Sequence, residues 1–297
     1  MRHNGQGGCL ARLLKSLQSL SRVDALLRLR HPNVNKPLLL SLTFLCFSAV
    51  RADDVAFFYA LDADFGALQK QGSVLRQPVK IGQRAVQVLS LGKHKVYAIK
   101  MGSGAVETAT SAQALIARFR CDRAYSLGPV GGLADTLPVG SWHWVKQATA
   151  YQRGSWTTSG FQLNKAAIIN FDLPAQSGDL PELFRNAGPI TVASGEIFVN
   201  SNSYREQLRE TSGAEAVDMN LFGLTTVCAD HRIPLVNWRI ISDKADDNAG
   251  EDFRKFTESY KGEGGTALAE LIKNLPPNPN SPQSYPELEK LLREEKN

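Results

Sequence analysis

The chain has 297 residues, 43% hydrophobic and 21% charged, which suits one large soluble domain or two modest ones. Its formal charge of +5 does not mark a nucleic-acid binder. Residues 1–52 carry eight Lys/Arg against the single acid Asp24, so residues 53–297 hold 26 basic and 28 acidic side chains and show no sustained basic stripe.

In chain order, the first feature is a leader over residues 1–52. Asn35-Lys36 is a short charged start. Pro37 to Val50 (PLLLSLTFLCFSAV) is an apolar run that ends at Val50-Arg51-Ala52, a small-residue cleavage pattern. The run is shorter than the ~20 residues a membrane helix needs and fits a signal-peptide core. Residues 35–52 are therefore expected to direct export, leaving a periplasmic or secreted chain that starts near Asp53 and has no membrane attachment. The competing reading is an amphipathic N-terminal helix followed by an apolar strand. Only Cys121 and Cys228 remain in the mature chain. They read as buried small hydrophobes, and neither sits in a metal or redox motif. No metal or cofactor is expected.

The body over residues 53–275 alternates strand and helix signals, as an α/β domain does. Val55–Tyr59 is an apolar run of the kind buried on both faces of a sheet. Ala85–Ser90 and Lys95–Lys100 read as a hairpin. Val106, Ala109, Ala112, Ile116 and Phe119 mark one face of a helix that starts near Ala105. Arg123–Leu127 is a strand stopped by Gly128-Pro129, and Trp142–Val145 and Ile190–Ala193 are two more. Glu215–Ala229 reads as a helix and Leu235–Ile241 as the last core strand, entered through Pro234. Asp252–Tyr260 and Thr266–Leu275 are helical, separated by glycines at 262, 264 and 265. Residues 276–297 are a Pro-rich linker and a short terminal helix.

Four segments share an order that points to one family. Ala60-Leu61-Asp62-Ala63-Asp64 follows the first strand. Ser126-Leu127-Gly128-Pro129-Val130-Gly131-Gly132-Leu133 is a glycine-rich turn. Ser194-Gly195-Glu196-Ile197-Phe198-Val199 comes next, and Asp218-Met219-Asn220 with Ile241-Ser242-Asp243 closes the set. Together they resemble the purine nucleoside phosphorylase/uridine phosphorylase superfamily, the methylthioadenosine/S-adenosylhomocysteine nucleosidases above all. The resemblance implies a single three-layer α/β domain with a central twisted mixed sheet flanked by helices. It also implies a purine nucleoside as small-molecule partner, and a homodimer.

Cleaving an N-glycosidic bond builds negative charge on the departing purine and positive charge on the sugar. An acid must protonate the base, and a second carboxylate must serve the water and the cation. The resemblance gives the first role to Asp243 and the second to Asp64. It places Phe198 on the base, the Val199 backbone at the ring edge, Met219 against the sugar and Asn220 at the ribose hydroxyls, with Ser242 beside the acid. Arg239 either orients the acid loop or makes a structural ion pair. Asp62 reads as a solvated turn residue, Glu107 as a helix-dipole partner and Asp218 as structural.

Two departures stand out. Asn220 replaces the family's glutamate, so a neutral amide faces the sugar. Pro129-Val130 adds bulk to the turn. Phosphorylases of the family place an arginine on the strand before that turn, where this chain has Ser126, so water is the expected nucleophile. The leading expectation is an exported nucleosidase that hydrolyses an adenine-type nucleoside. The alternatives are a phosphate-dependent phosphorylase and a non-catalytic nucleoside-binding, storage-like protein.

Overall fold

The computed structural model describes residues 52–164, 168–171 and 180–275. The leader ahead of Ala52 and the linker and terminal helix expected after Leu275 lie outside them. The chain enters along β1 (Asp54–Tyr59), buried over all six residues. Val55, Phe57 and Tyr59 face one apolar core, and Ala56 and Phe58 face another. A strand buried on both faces needs such an unbroken apolar run. β1 pairs in parallel with β4 (His94–Lys100) on one side and β5 (Arg123–Gly132) on the other. β3 (Arg84–Leu91) and β4 form the expected hairpin. Outside them lies β2 (Ser73–Ile81), largely exposed, where Pro78 is tolerated because an edge strand can lack a donor.

On its other side β5 is followed by β12 (Leu235–Asp243), β6 (Trp142–Ala150), β10 (Gly188–Ser194) and β11 (Ala216–Asp218), with β9 (Ile168–Asn170) paired to β6. β11 also pairs back onto β5, so this half of the sheet closes on itself. β7 (Gly154–Thr157) and β8 (Gly160–Leu163) form a separate ribbon. Two helices, α1 (Asp62–Lys70) and α7 (Glu263–Lys273), with the short α3 (Glu182–Arg185), pack on one face through Leu68, Leu268, Ile272 and Phe184. α2 (Ala105–Arg118) and α5 (Leu221–Asp230) cover the other through Ala112, Leu115 and Leu224. α4 (Asn202–Ser212) and α6 (Ala249–Ser259) complete a single α/β domain with a mixed sheet between helices. No helix among the described residues is long and apolar enough to cross a membrane.

The structure corrects several sequence readings. The buried face of α2 runs through Thr108, Ser111, Ala112, Leu115 and Ile116, while Val106 is 71% exposed. Two hydroxyls can turn inward because both find partners. Ser111 donates to the Met101 carbonyl, and Thr108 accepts from Asn220. β5 does not stop at Gly128-Pro129. Pairing with β1 ends at Leu127, so at Pro129 β12 is the remaining neighbour and a missing N–H is tolerated. The expected helix over 215–229 begins only at Leu221, because Ala216–Asp218 is captured as a strand by β10 and β5. Gly264 and Gly265 do not interrupt a helix. They lie in the first turn of α7, where a side chain would strike Trp142 or the Asp64 backbone.

Candidate active site

The parallel strands β1, β5 and β12 end at a common edge, the usual place for a ligand in an α/β sheet. A cavity of about 260 Å³ opens there. This is near the lower end of the ~300–1,000 Å³ typical of small-ligand sites. Its walls come from the β1 and β5 ends, the turn before α2, the loop after β10, the turn from β11 into α5, and the end of β12.

Asp243, the last residue of β12, lines the cavity and is 2% exposed. Its Oδ2 accepts from the Ser242 hydroxyl at 2.7 Å and its Oδ1 from the Ala245 N–H at 2.9 Å. Ala245 reaches that position with φ 53°, a left-handed conformation that costs a non-glycine residue about 1–2 kcal/mol. Burial raises the Asp243 carboxyl above its usual range. The two hydrogen bonds lower it again, and Asp246 and Asp252 add repulsion. A carboxyl that holds its proton more tightly than usual suits general acid work. Gly131 makes room for it, since a Cβ there would lie 2.9 Å from Asp243 Oδ1.

Asp218 supplies a second carboxylate to the cavity wall. It accepts from the Leu221 N–H at 3.0 Å, capping α5, and from Arg239 Nε at 3.4 Å. Both partners of this ion pair are about 1% exposed. Arg239 Nη1 also donates to the Ser126 hydroxyl at 3.0 Å and to the Trp238 carbonyl, while Nη2 is buried with no hydrogen-bond partner among the described residues. Of the two readings of Arg239, the geometry places it in a buried ion pair. It braces Asp218 and does not line the cavity.

Met219 and Asn220 line the cavity at the entrance to α5. The Asn220 amide nitrogen donates to the Gly102 carbonyl at 2.8 Å and the Thr108 hydroxyl at 2.7 Å. Both amide hydrogens are thereby committed to α2 and the turn before it, leaving Oδ1 as its free hydrogen-bonding atom. A carboxylate at this position would lack those donors. Phe198 and Val199 form the wall opposite. Val199 is buried, whereas Phe198 is 44% exposed and meets Phe253 edge-on, with ring centroids 5.8 Å apart. Phe253 lies on α6, ten residues beyond Asp243; its spacing with Phe256 and Tyr260 marks only the apolar face of a helix, and no local motif says that this face reaches the cavity.

Asp64 is not part of this cavity. Its side chain is fully buried against α7, accepting from Tyr260 at 2.5 Å and from the Gly265 N–H at 3.0 Å. It thus caps the start of α7, and the water-polarising role expected of it does not fall to it in this arrangement. Burial pushes its carboxyl from the usual 3.8 to about 6, against the two hydrogen bonds and with help from Glu263. A carboxyl raised on folding favours the fold while protonated. That contribution is full below about pH 4 and lost by about pH 6. Asp64→Asn does not titrate, so its stability relative to wild type should rise by up to roughly 3 kcal/mol between those values and then level off. Urea unfolding across this range checks it, and a difference independent of pH would refute the assignment. Asp62 is exposed, as expected, and pairs with Lys100 at 2.7 Å. Among the described residues no group of three His, Cys, Asp or Glu could hold a metal ion.

A mixed sheet between helices, with a buried acid at the C-terminal end of a strand and an aromatic wall across a small cavity, defines a nucleoside-phosphorylase-like α/β protein. The chain belongs to the phosphorylase superfamily, whose family model matches residues 55–273. Solved structures share the fold at low identity. The 5′-methylthioadenosine/S-adenosylhomocysteine nucleosidase of Helicobacter pylori is 19% identical, with a TM-score of 0.67 over 76% of this chain and 100% of that one. The corresponding nucleosidase of S. pneumoniae, solved with a transition-state inhibitor, is 20% identical, with a TM-score of 0.66 over 75% and 100%. A futalosine hydrolase mutant from Helicobacter pylori strain 26695 is 18% identical, with a TM-score of 0.68 over 75% and 100%.

Proposed function

We propose that the protein hydrolyses the N-glycosidic bond of an adenine-type nucleoside, and that it does so after export as a homodimer. The observation that carries the reading is Asp243, a buried carboxyl with raised proton affinity, facing a cavity walled by Phe198 and Val199. With the purine against Phe198, Asp243 donates its proton to the base as the C1′–N9 bond breaks. The electron pair of that bond leaves on the purine, water adds to C1′ of the cationic sugar, and the proton that this water loses returns through solvent to the Asp243 carboxylate. Asp218 lies in the same wall, with its charge balanced by Arg239.

The cations argue for water over phosphate. Lys100 lines the cavity and is paired with Asp62, and Arg239 is committed to Asp218. Self-association rests on the family resemblance, and the adjacent exposed pair Ile197 and Phe198 is apolar surface at the cavity mouth. The nucleosidases among the structural relatives support the substrate class, and the leader supports export.

Two observations favour a second reading, binding without chemistry. Asn220 offers the sugar a neutral amide, and Asp64 is withdrawn from the cavity. A panel of adenosine, 5′-methylthioadenosine and inosine, assayed for free base with and without phosphate, tests both. Hydrolysis should give free sugar at a rate indifferent to phosphate. A sugar 1-phosphate would make the protein a phosphorylase. Tight binding with no base release would make it a binding protein.

A further inference from the structure

The loop that carries Phe198 and Val199 is held on three sides. The Gly195 N–H donates to the Asp218 carbonyl at 3.1 Å. Gly195 itself lies against Tyr151 and Gln152, so closely that a Cβ would come within 2.5 Å of each. The Glu196 N–H donates to Gln152 Oε1 at 2.6 Å. The third tie spans 90 residues. Glu196 Oε1 accepts from the Val106 N–H at 3.0 Å, in the first turn of α2. Its other oxygen fills the space over Gly104, where any side chain would collide with it. Gly104 also has φ 91°, so the absence of a side chain there serves both the turn and the carboxylate.

The turn just before α2 is the facing wall of the cavity. Gly102 and Ser103 line it, and the Gly102 carbonyl anchors Asn220. One exposed side chain therefore connects the aromatic wall to the sugar-side wall. A carboxylate at a helix N-terminus is a charge-assisted acceptor in a favourable dipole field, stronger than a neutral contact on the same surface. By contrast the Phe198 ring is 44% exposed and meets Phe253 edge-on, so the loop's remaining hold beyond these ties is the buried Val199 side chain and a 3.4 Å hydrogen bond from the Tyr151 hydroxyl to the Ile197 carbonyl.

We infer that Glu196 is a positioning residue that ties the Phe198 loop to the start of α2 and so sets the width of the cavity. It touches no substrate atom. It acts through Phe198 on one side and through the Gly102–Asn220 contact on the other. The inference rests on the nucleoside reading only for which ligand is affected, because the tie itself can be measured without one.

The test uses Glu196→Ala and Glu196→Gln in the full chain. Hydrogen exchange without ligand should quicken by about tenfold in E196A, both in segment 195–200 and at Val106, as fits loss of a charge-assisted hydrogen bond. Melting temperature should change little, because the side chain is exposed. The Kd for adenine, used as the probe, should weaken about tenfold, and KM should rise by a similar factor while kcat stays within about threefold. E196Q should recover most of each change, because its amide oxygen can accept the same N–H. Phe198→Ala should lose adenine affinity without altering exchange at Val106. Unchanged exchange in E196A, or acceleration in only one of the two segments, overturns the inference. Failure of the wild type to bind adenine would refute the nucleoside reading, and the exchange result would still decide the role of Glu196.

Discussion

Replacing Asp243 by asparagine is expected to slow base release from an adenine nucleoside by about 10²–10⁴-fold with substrate affinity largely kept. Asparagine preserves the shape: its oxygen can still accept from the Ala245 N–H, and its NH2, in place of Oδ2, can donate to the Ser242 hydroxyl, which then donates to the Val130 carbonyl alone, but it has no proton to give the departing purine. The free energy lost is therefore confined to the transition state, so kcat falls and KM does not. Single-turnover rates and equilibrium binding of 5′-methylthioadenosine check the two halves separately. Wild-type-like turnover would exclude Asp243 as the acid, and an equal loss in binding would make it a binding residue only.

The largest effect on stability is expected from Arg239→Met. The side chain is buried, and its removal leaves Asp218 in the wall with no cation. Burial lowers the guanidinium's proton affinity, with Asp218 opposing that, so the pair is held together by mutual compensation. Breaking such a pair from one side costs about 3–5 kcal/mol, whereas replacing both partners is far less costly. Urea unfolding should show the single change to be severe and the change in an Asp218→Asn background much milder. A loss below about 1 kcal/mol for Arg239→Met alone would mean that the pair contributes little.

Much of the cavity is legible in the sequence because its parts are short and local. Ser242-Asp243 ends an apolar strand, Met219-Asn220 precedes an apolar helix, and Phe198-Val199 follows a strand and Ser-Gly. Each presents itself by position on its own element. Asp64 was not legible in this way. It is on the right turn, but which side of α1 it faces is decided by Tyr260 and Gly265, 196 and 201 residues away. Periodicity cannot report a contact of that span. The same limit hid Glu196, whose partner is a backbone N–H 90 residues away. The strand character of Ala216–Asp218 was obscured too. Three residues are too few to show alternation, and only the gap between β10 and β5 makes them a strand.

The clasp between Asp64 and α7 also bears on the timing of folding. The first described helix, α1, cannot satisfy its buried carboxyl until the last described helix has been made, 201 residues later. Joining such distant segments costs loop-closure entropy, and domains dominated by distant pairings fold slowly. The nascent chain would then remain open through synthesis, and would acquire its finished interior only once α7 has been made.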